Sequence, residues 1–163
     1  MDTALQLRDM LLKCECCEFQ AEITADYGEQ LYRFAVDCRA DRDGNVSFTV
    51  IEPQSISGVT GEIHMSRGRL TFDHMALGFP LMVDGVLSPV SGPWILLKSL
   101  RSGYLASCAE TESGMRLTLQ DSYEENTLQI DVWTDPEGIP CFAEIVWKGQ
   151  RILSFKIDNF VML

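Results

Sequence analysis

Apolar and polar residues alternate with a period of two along almost every segment after residue 16. Phe19, Ala21, Ile23 and Ala25 alternate with Glu18, Gln20, Glu22 and Thr24. Tyr32, Phe34, Val36 and Cys38 alternate with Arg33, Asp37 and Arg39, and Val46, Phe48 and Val50 with Ser47 and Thr49. Successive side chains of a strand point to opposite faces, so this pattern predicts a sheet with one buried face and one wet face.

The alternation places strands near 17–26, 30–40 and 46–52. Asp41-Arg42-Asp43-Gly44-Asn45 forms the turn between the second and third, and Pro53 ends the third because it has no N–H to give a ladder. A further strand carries Val59, Ile63 and Met65 on one face. After a turn at Arg67-Gly68, Leu70 and Phe72 carry the next, and residues 76–83 form one more apolar piece, broken by Gly78 and Pro80. The second half repeats the pattern near 104–110, 114–121, 126–134, 139–147 and 150–160, with turns at Asp135-Pro136-Glu137-Gly138 and Lys148-Gly149.

Two segments read differently. Residues 2–13 predict an amphipathic helix whose broad apolar face holds Leu5, Leu7, Met10, Leu11 and Leu12. Trp94 to Leu100 predicts a second helix, with Pro93 in its first turn and Gly103 at its end. It is too apolar all round to stand in water, so it is expected across the open face of the sheet. The predicted fold is therefore mainly β. One domain over 1–163 forms a curved antiparallel sheet, an unclosed half-barrel, with an N-terminal and a mid-chain helix capping the concave face.

Bulk composition narrows the function. An apolar fraction of 46% over 163 residues suits a globular domain with a sizeable core. The formal charge of −11 repels phosphate backbones and anionic membranes. Basic residues cluster only at Arg67 and Arg69, so a nucleic-acid partner is not expected. No run approaches the roughly 18 apolar residues that span a bilayer. Residues 1–13 carry Asp2, Arg8 and Asp9 where a signal peptide needs an unbroken apolar core. The expectation is then a cytoplasmic protein, or a mature domain whose export segment precedes residue 1.

Six cysteines stand at 14, 16, 17, 38, 108 and 141. Cys14-Glu15-Cys16-Cys17 lacks the second pair that a zinc site needs, and His64 and His74 are distant in sequence, so no metal is expected. Lys13 stands where a small residue would precede a lipid-bearing Cys14. Cys17 and Cys38 fall on the apolar faces of neighbouring strands, which leaves a disulfide open. Reduced thiols packed as small hydrophobes are the default for all six. No nucleophile–base motif, phosphate loop or dinucleotide fingerprint is present, and no cofactor is expected. Glu110 with Glu112 and Glu124 with Glu125 read as solvated carboxylates on strand faces and turns, and the two histidines as solvated side chains near a turn. The chain does not read as an enzyme.

The aromatic residues carry two readings. In a closed, filled core they are packing. In an open half-barrel they exceed what the capping helices can fill, and Phe48, Phe72, Phe79, Trp94, Leu97 and Phe155 would line a cavity for an acyl chain or another apolar ligand.

Two stretches resemble small lipoproteins of clostridial type. Phe48 to Thr60 is similar to a segment in which a strand ends in Pro and an Ile-x-Gly turn follows. Pro140, Ala143-Glu144-Ile145, Gly149, Arg151-Ile152-Leu153 and Asn159-Phe160 are similar in type and order to their last two strands. The order of elements also resembles the lipoprotein carriers LolA and LolB, whose unclosed half-barrel has helices plugging its concave side. The resemblance implies an extracytoplasmic, lipoprotein-like domain that holds a lipid or apolar small molecule. It would meet the membrane only through a tether absent from this chain. The alternative it implies is a scaffold for an envelope protein partner, such as a cell-envelope or spore-cortex enzyme.

Overall fold

A computed structural model describes residues 2–26, 28, 31–64, 67–72, 75–80, 82, 83, 86–121 and 127–163. Over 67, 70–72, 75–80, 82, 83, 86 and 87 the description is of the backbone alone. Helix α1 (Asp2–Lys13) leads into six strands: β1 (Cys16–Asp26), β2 (Leu31–Asp41), β3 (Val46–Glu52), β4 (Thr60–His64), β5 (Arg67–Phe72) and β6 (Met75–Pro80). A short hairpin, β7 (Met82–Val83) and β8 (Val86–Leu87), precedes helix α2 (Gly92–Ser102). Five strands follow: β9 (Tyr104–Thr111), β10 (Gly114–Gln120), β11 (Leu128–Thr134), β12 (Pro140–Trp147) and β13 (Gln150–Met162).

Each half of the chain is an antiparallel meander, and β1 pairs with β13 to join them. The result is one sheet of eleven strands in the order β6-β5-β4-β3-β2-β1-β13-β12-β11-β10-β9. Its terminal strands β6 and β9 do not pair with each other, so the sheet is an unclosed half-barrel, as the alternation predicts. Register shifts interrupt five ladders, between Glu18 and Gln20, Ala35 and Val36, Thr118 and Leu119, Trp133 and Thr134, and Ile145 and Val146. An extra residue on one strand bends it and sharpens its twist, which gives a sheet this wide its curvature.

The turns expected at Asp135–Gly138 and Lys148-Gly149 form, whereas Arg67 and Gly68, expected to turn the chain, are the first two residues of β5 and pair with His64 and Ile63 in its ladder. Lys148 and Gly149, both at positive φ, close the two-residue hairpin in which Trp147 faces Gln150. Asp135 Oδ1 accepts the backbone N–H groups of Glu137 and Ile139 at 3.0 and 2.9 Å and holds the turn before β12.

The apolar halves of the strands line up across the sheet. One row runs Leu117–Val132–Ala143–Phe155–Ile23–Phe34, crossing six strands. Its neighbours run Leu119–Ile130–Ile145–Leu153–Ala25 and Ile157–Ala21–Val36–Val50. All these residues are buried and belong to one cluster with the inner faces of both helices. Tyr32, which the alternation assigns to the buried face, is exposed near the end of the β1–β2 hairpin.

The helices differ from expectation in detail. Only Ala4, Leu7 and Leu11 of α1 are buried, while Leu5, Met10 and Leu12 are exposed. The helix rests on the core along a stripe with i, i+3, i+7 spacing, narrower than the apolar face its sequence offers. Helix α2 buries Ile95, Leu96, Leu97, Ser99 and Leu100, as a helix laid against an apolar face must. Gly103 does follow it, but at φ −67 its glycine character is spatial: a Cβ there would stand 2.6 Å from the Ser99 carbonyl oxygen.

Candidate functional site

The concave face and the helix against it form the candidate site. Phe48, Leu97 and Phe155 of the expected lining are buried in the common cluster, and Trp94 is half-buried against it. The side chains of Phe72 and Phe79 lie outside the described residues. Phe155 stands at the centre of the longest row and touches the start of α2, where a Cβ on Gly92 would meet its ring at 2.3 Å. Phe48 is closely seated on β4, where a Cβ on Gly61 would lie 2.1 Å from the ring. Glycine at these two positions lets backbone approach the aromatic rings. Phe48 and Phe155 therefore serve separate ends of the face, one under β4 and one under α2.

The C-terminal end of α2 is anchored from a distant part of the chain. Arg8 of α1 donates from Nε to the carbonyl oxygen of Leu100 at 2.7 Å, and from Nη2 to those of Gly103 and Ser99 at 2.6 and 3.3 Å. The last carbonyls of a helix have no intrahelical partner and carry its negative dipole end, so a guanidinium suits this place. Arg101 reaches the other way and donates to the Asp41 carbonyl oxygen at 3.0 Å. The N-terminal end of α2 is held differently. Pro93 lies in its first turn, no side chain caps it, and it packs on Phe155. Lys98 lies over the Trp94 ring at 5.1 Å.

None of the six cysteines, all described, forms a disulfide. Cys17 stands opposite Ala40 and Cys38 opposite Phe19, so the two thiols are diagonal neighbours on the buried face. Burial pushes the Cys17 thiol up to about 11, against the opposing charge of Arg101, and pushes Cys38 higher still. Both are protonated at neutral pH and pack as small apolar groups.

His64 is exposed; its Nδ1 meets Asn45 Oδ1, and the Asn45 amide donates to Asp41 Oδ2 at 2.9 Å. Burial alone would raise the Asp41 pKa. The side-chain and backbone hydrogen bonds of Asn45, the Asp43 N–H and Arg101 outweigh it and hold the carboxyl below its usual range. His74, Glu124 and Glu125 lie outside the described residues. Among the described residues no group of three or more His, Cys, Asp or Glu is arranged to hold a metal.

One polar cluster has no signal in the sequence. Asp131 is 2% exposed although it belongs to the wet side of β11. It accepts from Thr118 Oγ1 at 2.7 Å, Gln129 Nε2 at 2.9 Å and Arg116 Nη2 at 3.1 Å. Arg116 in turn lies over the Trp133 ring at 5.2 Å, and Trp133 tilts against Phe142 at 5.4 Å. These partners come from three strands, so only the register assembles them.

Comparison with solved structures places this architecture. A conserved protein of uncharacterised function from Thermus thermophilus superposes with a TM-score of 0.51 at 14% identity, covering 98% of this chain and 87% of that one. A LolA superfamily protein from Nitrosomonas europaea does so at 0.50 and 8% identity, covering 98% and 93%. The fold is LolA-like. A domain from Vibrio parahaemolyticus assigned to outer membrane lipoprotein sorting matches the LolA-like chain at 0.50 and 8% identity, over 98% and 90%. At these identities the likeness is one of fold. No protein-family model matches the chain, and no curated protein does. Among the described residues of the LolA-like domain no helix is long and apolar enough to cross a membrane.

Proposed function

We propose that this domain is a non-enzymatic, extracytoplasmic module that holds a lipid acyl chain or another apolar group between its concave face and α2. The observation that carries the reading is the open sheet: its apolar face ends at two strands, β6 and β9, that do not pair with each other. A closed barrel would have to break a ladder to admit a chain, whereas this sheet has only to yield at its helices. Helix α2 is suited to that movement. Arg8 ties its C-terminal end, and its N-terminal end rests on Phe155 through side-chain packing. Lifting that end would bring Trp94, Leu97 and Phe155 onto the ligand, with Phe48 along the far part of the face. Each Å² of apolar surface so covered contributes about 25 cal/mol.

Native mass spectrometry of the purified protein, followed by solvent extraction and uptake of a fluorescent fatty acid, tests the reading. A discrete adduct released by solvent, or saturable uptake that changes Trp94 emission, is expected. An unadducted mass with no uptake rejects it.

A scaffold for an envelope or spore-cortex enzyme is favoured by one separate observation. Strand β9 is eight residues long, terminal in the sheet, and has no buried residue. Such an edge can accept a partner's strand. Recovery of a stoichiometric envelope protein by pull-down, lost when Ser107→Pro interrupts β9, would support this reading over the first.

A further inference from the structure

Four polar or charged residues are buried among the described residues: Ser91, Ser99, Asp131 and Thr134. Three of them are satisfied. Ser91 Oγ donates to the Ser88 carbonyl oxygen, Thr134 Oγ1 accepts the Met115 N–H, and Asp131 accepts its three donors. Ser99, 1% exposed, is the exception: its hydroxyl has no hydrogen-bond partner. A helix offers such a serine the carbonyl one turn back. Ser102 takes that option and donates to the Lys98 carbonyl oxygen at 3.0 Å, whereas Ser99 does not. The other unpaired buried side-chain atom among the described residues is Arg101 Nε, whose guanidinium already donates from Nη2 to the Asp41 carbonyl oxygen. A buried hydroxyl left unpaired costs stability, which makes such groups rare.

The place of Ser99 in the fold gives the hydroxyl a use. Ser99 follows Gly92 by two turns on the same face of α2, about 10 Å along the helix. Gly92 rests on Phe155 and Leu153, so this face looks onto the concave side of the sheet. At the other end the helix approaches β10, where a Cβ on Gly103 would stand 3.1 Å from the Gln120 carbonyl oxygen. Ile95 and Leu96 lie between, both buried. The stripe is thus apolar along its length, with one hydroxyl near its C-terminal end. Arg8 fixes that end through the carbonyl oxygens of Ser99, Leu100 and Gly103.

We infer that Ser99 Oγ is the polar contact of the concave-face site and that the ligand is an acyl ester, whose carbonyl oxygen accepts from this hydroxyl. The inference rests on the reading that an apolar chain is held between the sheet and α2, and adds to it a ligand class and an orientation. Apolar sites orient a ligand with a few placed polar groups. A lone hydroxyl on an apolar stripe suits an acceptor without charge. A bare hydrocarbon would leave it unpaired. A carboxylate would bring a charge to an end of α2 where Arg8 and Arg101 are both engaged by backbone carbonyl oxygens. The acyl chain runs from Ser99 past Ile95 and Leu96 toward Phe155. When the N-terminal end of α2 yields, the anchored end keeps the hydroxyl in place.

The test uses the intact protein with methyl laurate and lauryl methyl ether, which lacks only the carbonyl oxygen. Tryptophan emission follows uptake. The wild type is expected to hold the ester about tenfold more tightly than the ether. Ser99→Ala should hold both equally, at the level of the ether. Its melting temperature should hold or rise, because the change deletes a hydroxyl without a partner and places alanine in a helix. Equal affinities in the wild type overturn the assignment and leave the concave-face reading standing. A melting temperature several degrees lower in Ser99→Ala overturns it too, since the hydroxyl would then serve the fold. Tighter binding of laurate than of its methyl ester would bring a charge to this place and reject the ester. Uptake of neither ligand rejects the concave-face reading itself, and this inference with it.

Discussion

Glu18 and Phe19 are adjacent in the chain and lie in different environments, one at the rim of a polar groove and one stacked in the core. The whole sheet repeats this contrast. Its concave face is chemically uniform: every residue of the central rows is apolar and buried. What matters there is volume and position. Its outer face is chemically varied, with the rung Glu18–Arg39–Ser47–Glu62–Arg69 over β1–β5 and a buried carboxylate beneath Arg116 on β10–β11. What matters there is which group stands beside which. Truncations should therefore cost most on the inner face, and outer-face changes should be felt in proportion to burial.

The largest effect is expected at the centre of the inner face. Phe155→Ala removes a ring that is 1% exposed between β1, β12 and α2. It should lower stability by about 3–5 kcal/mol in urea unfolding. A loss below about 1 kcal/mol would mean that the row already borders empty space, which would favour the ligand cavity over the filled core. Asp131→Ala should come next, at about 2 kcal/mol. It strands Thr118 and Gln129, while Arg116, about half exposed, can return to water. A cost as large as that of Phe155→Ala would erase the difference between the faces.

Gly92→Ala tests how tightly α2 sits. The added methyl meets Phe155 at 2.3 Å and should cost about 1–2 kcal/mol even after the better helix propensity of alanine. Phe155→Leu in the same chain should recover part of that loss, because the two positions share one contact. Additive losses would show that α2 stands clear of the ring.

Acid gives a smaller signal. The Asp41 carboxyl titrates below its unfolded value of about 3.9. Its contribution is thus complete above that value and is lost as the pH falls through the native pKa. Melting temperature measured from pH 6 downward should fall in that window, and Asn45→Ala should make the fall shallower. The smallest effect belongs to the Glu18–Arg39 pair. Both side chains are well exposed, so a double-mutant cycle should return about 0.2–1 kcal/mol. A value above about 2 kcal/mol would give the outer face a structural weight that its exposure does not suggest.

Much of the fold was legible in the chain. The alternation through Phe19, Ala21, Ile23 and Ala25 placed β1 and its buried face, and Asp41 to Asn45 and Lys148-Gly149 placed two turns, because these signals act within a few residues. The buried stripe of α1 was less legible. Leu5, Met10 and Leu12 are as apolar as Leu7 and Leu11, and only the width of the surface beneath the helix decides which of them it covers. The site was legible as composition alone. That Phe48, Leu97 and Phe155 would be buried followed from pattern, but their seats on Gly61 and Gly92 did not. The triad of donors on Asp131 was not legible at all, since Thr118 and Arg116 are more than ten residues away from it in sequence.

What the sequence determined by itself is the division into two faces and the order of the two helices and the strands of the main sheet; the β7–β8 hairpin was not among them. Strand side chains alternate and turn residues act locally, so these features need no knowledge of the rest of the chain. The tertiary structure alone decided which residues stand side by side across strands. It set Arg8 on the end of α2, Cys17 beside Cys38, the rung from Glu18 to Arg69, and the Ser99 hydroxyl toward the concave face. The reason is that register is selected by the summed packing of a whole buried face. Moving a strand by one residue would turn every apolar side chain outward, and no local signal carries that sum.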